Sequence, residues 1–263
     1  MDFLNFPRMA HREELEFALS LADSSRGILL SHFGSDLPVE WKGDNTPVTR
    51  ADREAEEVLR ARIAKGTPGY GIIGEEFGRE SGSADREWVI DPIDGTKAFI
   101  HRVPLFGTLI ALLEKGEPVL GVIDLPALGE RVHATRGGGC FRNGKPCRVS
   151  AVQKIEDALI LDGSITTMER LGHGPAWADL RRKARLHRGW GDCYGHFLVA
   201  TGAAEVMADP TVEIWDVAPM GVILPEAGGR FTSLRGNESV AEKSGLSTNG
   251  LLHETVLTAF AGS

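Results

Sequence analysis

Apolar residues recur at helical spacing over residues 12–32, through Leu15, Leu19, Ala22 and Leu29, and the pattern stops near Gly34. That spacing predicts a helix with one buried face. A second helix is predicted from Thr49 to about Lys65, with Thr49 as N-cap and Asp52 at the third helical position, where the dipole favours an acid. Short apolar runs ending in turn residues predict strands at 71–74 and 88–90, then at 105–113, 118–124 and 131–135. The run at 105–113 is almost wholly apolar, which predicts a central strand covered on both faces. A glycine-rich hairpin, Gly137-Gly138-Gly139-Cys140-Phe141-Arg142-Asn143-Gly144, leads on to Val149. Residues 36–47 read as a polar loop, and 81–86 as a solvated one.

In the second half the pattern alternates. Strands are predicted at 158–161, 185–188 and 204–208, and helices at 175–183, 193–201 and 215–227, the last closed by Gly228-Gly229 and bent by Pro225. Neither an internal repeat nor a low-complexity segment interrupts the series. These elements predict an α/β fold, an α+β sandwich of helix layers alternating with mixed sheets. It would divide into an N-terminal α+β subdomain, residues 1–150, and a C-terminal α/β subdomain, residues 151–263, with the site between them.

Composition narrows the function classes. The 263 residues suffice for a substantial core, and the formal charge of −8 argues against nucleic-acid or anionic-membrane binding. No run approaches twenty apolar residues, and Met1 to Ala10 lacks a basic region followed by an apolar core, so a cytoplasmic protein is expected. The cysteines, Cys140, Cys147 and Cys193, are odd in number and lack metal-ligand spacing. Free thiols are expected, although Cys140 and Cys147 flank the Asn143-Gly144 turn closely enough for a strained disulfide.

The chemistry concentrates in Trp88-Val89-Ile90-Asp91-Pro92-Ile93-Asp94-Gly95-Thr96. A buried strand ends in two acids three positions apart. Pro92 keeps Asp91 extended, and Gly95 permits close approach to the backbone. Two carboxylates about 4 Å apart repel by roughly 4 kcal/mol at an effective dielectric of 20, so a rigid turn holding both suits a bound cation. Three further acidic settings accompany it: Glu75 and Glu76 after the strand Gly71-Ile72-Ile73-Gly74, Asp52 in Val48-Thr49-Arg50-Ala51-Asp52, and Asp216 in Ile214-Trp215-Asp216-Val217-Ala218. Each alone reads more readily as a cap or a solvated charge than as a metal ligand.

Together, V-T-x-A-D at 48–52, G-E-E at 74–76, D-P-I-D-G-T at 91–96, W-D-x-A at 215–218 and the glycine hairpin resemble the magnesium-dependent, lithium-sensitive phosphomonoesterases typified by inositol monophosphatase. The resemblance spans nearly the whole chain. It implies that Glu75, Asp91 and the Ile93 carbonyl hold one Mg²⁺ and that Asp91, Asp94 and Asp216 hold a second, with a weaker third ion near Glu75. Thr96 and Asp52 would orient and deprotonate a water, while Gly95 and Thr96 N–H groups bind phosphate, with no covalent phospho-enzyme. The loop bearing Trp41-Lys42-Gly43-Asp44 would be a flap, and the chain a homodimer. Hard oxygen ligands suit Mg²⁺ rather than zinc.

Two departures concern the substrate. Ala98 stands where many members have Asn, and Gly189-Trp190-Gly191-Asp192-Cys193-Tyr194-Gly195-His196-Phe197 replaces small residues. Both resemble the histidinol-phosphate phosphatase branch, which acts in histidine biosynthesis. A cationic substrate asks for acids beyond the metal ligands; Asp192, Asp209 and Glu213 are the candidates. Asp192 also reads as a cap for the helix at Cys193, Asp209-Pro210 as a turn, and Glu213 as a surface charge. His196 reads as structural, Trp190 and Trp215 as packing, and Lys42 and Lys97 as solvated or phosphate-assisting. The expected substrate is a small phosphorylated metabolite: histidinol phosphate, or alternatively inositol-1-phosphate or a sugar phosphate. A non-catalytic phosphate-metabolite-binding regulator on the same fold is the reading of another class.

Overall fold

The computed structural model describes residues 11–36, 38–41, 43 and 47–261. Lys42, Asp44 and Met1 to Ala10, which entered the reading of the flap and the amino terminus, lie outside the described residues. In chain order the first half contains α1 (Arg12–His32), β1 (Val39–Trp41), β2 (Pro47–Thr49), α2 (Arg50–Gly66), β3 (Gly71–Gly74), β4 (Gly78–Glu80), β5 (Arg86–Asp94), α3 (Thr96–Ile100), β6 (Gly107–Glu114), β7 (Glu117–Leu125), β8 (Glu130–Thr135), β9 (Gly139–Arg142) and β10 (Lys145–Pro146). The second half contains β11 (Leu159–Asp162), α4 (Ile165–Arg170), α5 (Gly174–Lys183), β12 (Leu186–Arg188), α6 (Asp192–Ala200), β13 (Val206–Asp209), α7 (Ile214–Val217), α8 (Met220–Glu226), β14 (Arg230–Thr232), β15 (Gly245–Thr248) and α9 (His253–Ala261).

Two mixed sheets organise the chain. An eight-stranded sheet runs β10-β9-β8-β7-β6-β5-β3-β4, and a five-stranded sheet runs β12-β11-β13-β15-β14. Period-two alternation along the strands feeds two separate cores. Ile72, Trp88, Ile90, Ile110, Leu112 and Val122 face Leu15, Leu21, Leu59 and Ile63 of α1 and α2. Their neighbours Ile73, Val89, Leu109, Ala111 and Ile123 face the opposite way, onto Phe197, Val217 and Ile223 of α6, α7 and α8. A third core joins Ile160, Val206 and Leu246 of the smaller sheet to Trp177, Leu180, Val256 and Phe260 of α5 and α9. The result is helix, sheet, helix, sheet, helix in succession. The apolar run of β6 is interior to the larger sheet, and no helix of the described residues is long and apolar enough to cross a membrane.

Three local expectations need correction. The segment read as a loop over 36–47 contains a small antiparallel pair, Val39–Trp41 against Pro47–Thr49. With exposed Glu40 and Trp41 and only three pairs, it carries too little alternation to read. The single helix expected over 215–227 is two helices, because Pro219 has no N–H to continue the ladder and instead starts α8 as its N-cap. Asp192 does not cap α6; Gly191 is the N-cap and Asp192 is the first helical residue.

Candidate active site

The metal-turn geometry originates in a fault in β5. Asp91 pairs with Leu109 and Asp94 with Gly107, so two residues, Pro92 and Ile93, bulge opposite Thr108 alone. A proline inside an interior strand requires such a bulge, and the bulge re-aims the flanking acids. Buried Thr108 secures it, its hydroxyl donating to the Pro92 carbonyl at 2.9 Å and contacting Ser25 Oγ of α1 at 2.6 Å. Asp91 Oδ1 accepts the Ile93 N–H at 2.9 Å. Gly95 turns the chain with φ +85; a Cβ there would lie 2.9 Å from the Leu105 carbonyl oxygen.

Four elements converge on this turn. Asp91, Asp94 and Asp216 each offer an oxygen within 4.8 Å of the others. Asp216 comes from α7, where Oδ2 accepts the Glu213 N–H at 2.8 Å in a capping box. Glu75, at the end of β3, reaches the Asp91 carboxyl. Asp52 is buried on the first turn of α2, its Oδ2 held by the Thr49 N–H at 2.7 Å and hydroxyl at 2.6 Å. The Thr96 hydroxyl lies 2.9 Å from the Ile93 carbonyl and 3.4 Å from Asp52 Oδ1.

Crowding shows in the electrostatics. Burial, then Glu75, Asp94 and Asp216, hold Asp91 well above the carboxylate range. Burial followed by Asp192 and Asp216 does the same to Asp94. Burial pushes Asp216 up to about 7 and Asp52 up to about 6. The cavity of about 420 Å³ over the turn is lined, among the described residues, by Glu75, Asp91, Asp94, Asp192, Glu213 and Asp216, with the Lys97 ammonium beside them. Hard carboxylate and carbonyl oxygens crowded this closely fit Mg²⁺. Glu75, Asp91, Ile93, Asp94 and Asp216 are the residues that would hold it.

A second lobe of about 500 Å³ opens from the first, sharing Asp94, Lys97, Asp192 and Asp216 and adding Asp209, Ser164, Thr167, Arg170 and His196. Asp209, at the end of β13, lies against Gly163, where a Cβ would meet Oδ1 at 2.7 Å. Burial and the charges of Asp192, Asp216 and Asp162 raise its carboxyl well above the ordinary range. Asp192 is exposed to the cavity and takes φ +54. Glu213 belongs to the first lobe, is the N-cap of α7 and pairs with Lys243. His196 is buried and accounted for by Ser247 Oγ at 2.7 Å, with burial lowering it to about 3. Trp190 is exposed, whereas Trp215 lines the first lobe.

Sequence reasoning missed Glu56. Fully buried on α2, it accepts the Glu76 N–H at 2.7 Å, the Phe77 N–H at 3.2 Å and Arg60 Nε at 2.8 Å. It thus clamps the backbone that follows Glu75. Its spacing of four from Asp52, which puts both on one helix face, was the available signal. Ser164, Thr167 and Arg170 were missed because α4 is a single short helix without a distinctive apolar stripe.

Comparison with known proteins identifies this acidic site, at a strand bulge between helix and sheet layers, as that of a phosphoric monoester hydrolase. Residues 11–262 match the profile described as the inositol monophosphatase family, and the chain belongs to that family. It is 44% identical over 251 residues to the histidinol-phosphatase of Chlorobaculum parvum, covering 94% of this chain and 96% of that protein. It is 41% identical over 256 residues to the histidinol-phosphatase of Mycobacterium tuberculosis, covering 95% and 98%. Among solved structures, the IMPase of Thermotoga maritima superposes with a TM-score of 0.88 at 33% identity, covering 95% of this chain and 97% of that one.

Proposed function

We propose that this enzyme hydrolyses L-histidinol phosphate to L-histidinol and phosphate, using Mg²⁺ and a water nucleophile. The observation that carries the substrate choice is the pair of carboxyls, Asp192 and Asp209, in the lobe beyond the metal turn, where an ammonium and an imidazole need acidic partners. The 41–44% identity to two histidinol-phosphatases supports the same choice, against 34% to a fructose-1,6-bisphosphatase/inositol-1-monophosphatase of Thermotoga maritima.

Bound Mg²⁺, two or three ions, would supply Lewis-acid stabilisation of the phosphoryl oxygens and acidify a water. The chain's own residues perform the rest. Glu75, Asp91, the Ile93 carbonyl, Asp94 and Asp216 fix the ions. The Thr96 hydroxyl, between the Ile93 carbonyl and Asp52, orients the attacking water, and Asp52 accepts its proton. The N–H groups of Gly95 and Thr96 bind phosphate at the turn that Gly95 makes possible. Asp192 and Asp209 hold the cationic leaving group, and Glu213 borders the first lobe. Sensitivity to Li⁺, a homodimeric assembly and a cytoplasmic location complete the reading.

The test is phosphate release from histidinol phosphate, inositol-1-phosphate and fructose-1,6-bisphosphate, with Mg²⁺ and with chelator. Histidinol phosphate should lead in kcat/KM by at least about tenfold, roughly 1.4 kcal/mol of transition-state discrimination. Preference for inositol-1-phosphate would overturn the substrate assignment, and full activity in chelator would overturn the metal scheme.

A further inference from the structure

The hairpin of β9 and β10 holds two thiols in contact. Lys145 pairs with Arg142 and Pro146 with Phe141, which sets Cys147 opposite Cys140. The Cys147 N–H donates to the Cys140 carbonyl at 3.0 Å, which holds the two residues side by side across the hairpin. Their sulfurs lie 3.4 Å apart. Residues opposite one another in an antiparallel pair have Cα atoms about 4.5–5.5 Å apart, within the range of about 4.4–6.8 Å that a disulfide spans. Exposure differs between the two. Cys140 is buried in the core where β9 meets α8, whereas Cys147 is half-buried just past the strand end.

We propose that Cys140 and Cys147 constitute an oxidation site, at which a hydroperoxide converts the two thiols into a reversible intramolecular disulfide across the hairpin. The accessible Cys147 is the attacking sulfur. Its thiolate displaces hydroxide from hydrogen peroxide: an S–O bond forms, the O–O bond breaks, and sulfur gives up two electrons. Cys140 then attacks the sulfenic sulfur. The S–S bond forms, the S–O bond breaks, and the leaving oxygen departs as water with the Cys140 proton. Overall, two thiols and one peroxide yield one disulfide and two waters, and a small dithiol reverses the change. The surroundings favour this order of events. The hydrogen bond from Cys140 and the nearby Arg142 guanidinium lower the Cys147 thiol, and the hydrogen bond to Cys147 together with burial raises Cys140. Cys193, fully buried in the first turn of α6, serves as the internal reference thiol.

The experiment treats the whole chain with hydrogen peroxide and follows intact mass and peptide mapping. The expected product is a species lighter by two hydrogens, with residues 140 and 147 cross-linked and Cys193 still free; dithiothreitol restores the thiols. Before oxidation, iodoacetamide should label Cys147 at least about tenfold faster than Cys193. Cys147→Ser should abolish the cross-link. Cys140→Ser should instead accumulate sulfenic acid at residue 147, trapped by dimedone, which shows which sulfur reacts first. A folded protein that gains oxygen without cross-linking, links through Cys193, or joins chains intermolecularly would overturn the proposal.

Discussion

Replacing Glu56 by Gln isolates the support beneath the site, because it changes one oxygen to an NH₂ at nearly constant volume. The wild-type carboxylate divides its acceptors between two backbone donors: Oε2 takes the Glu76 N–H at 2.7 Å and Oε1 the Phe77 N–H at 3.2 Å, with Arg60 Nε at 2.8 Å. Glutamine retains one acceptor oxygen, so its NH₂ must oppose one of those donors. The pocket cannot widen toward β3, since a Cβ on Gly74 would already fall 2.1 Å from Oε1. A lost charged hydrogen bond costs about 1.5–3 kcal/mol, and a buried donor left without a partner costs about 1–3. Together with the loss of the anion facing half-buried Arg60, we expect destabilisation of about 3–5 kcal/mol, the size found when a buried pair loses one member. A fold of ordinary stability survives that loss. The backbone after Glu75 is then free to shift, and a misplacement on the order of 1 Å costs roughly a hundredfold in rate. Urea unfolding with and without Mg²⁺, kcat, and the Mg²⁺ concentration for half-activation are the measurements. A variant within 1 kcal/mol of wild type, with unchanged kcat and Mg²⁺ midpoint, would refute the reasoning.

Three further outcomes are expected. Asp94→Asn should lose turnover by about three orders of magnitude while keeping its circular dichroism, and Mg²⁺ should no longer raise its melting temperature; wild-type activity would reject the ligand scheme. Asp192→Asn should raise KM for histidinol phosphate more than for a neutral sugar phosphate, whereas equal effects would remove Asp192 from substrate recognition. Buried His196 is depressed to about 3, against about 6.5 when unfolded, so only the unfolded chain takes the proton between those values. Its contribution is present above pH 6.5 and is lost as pH falls toward 3. Relative to His196→Asn, the wild type should therefore lose stability with a slope approaching about 1.4 kcal/mol per pH unit in that window; parallel curves would contradict this.

The legibility of the fold follows from how much of each element's information is local. Thr49 and Asp52 announce α2 because a cap and an acidic first turn are read within four residues, and the apolar run in β6 reports burial on both faces. The break between α7 and α8 was equally local, but Pro225 drew the attention that belonged to Pro219. Residues 230–261 received no assignment. Strands β14 and β15 there have three and four residues, and their pairing spans a polar loop that leaves no periodic trace. At the site, the strand-end acids stand out because an apolar run stops at a carboxylate. That Asp216 meets Asp91 across the layers is a long-range fact, available beforehand only through resemblance. Glu56 is hidden for the opposite reason: apart from its spacing of four from Asp52 it looks like any solvent-facing helical glutamate, and the close approach of Gly74 shows that it points inward.

The left-handed backbone at residue 192 restricts what chemistry this wall of the cavity can explore. Only glycine, asparagine and aspartate take that conformation cheaply, so the position offers a choice among no side chain, an amide and an acid. Thr167 and Arg170 face the same lobe from α4, a helix whose positions accept nearly any side chain, whereas Ser164 is held to its capping role by the Thr167 N–H. Divergence toward new leaving groups therefore has far more room on α4 than at residue 192.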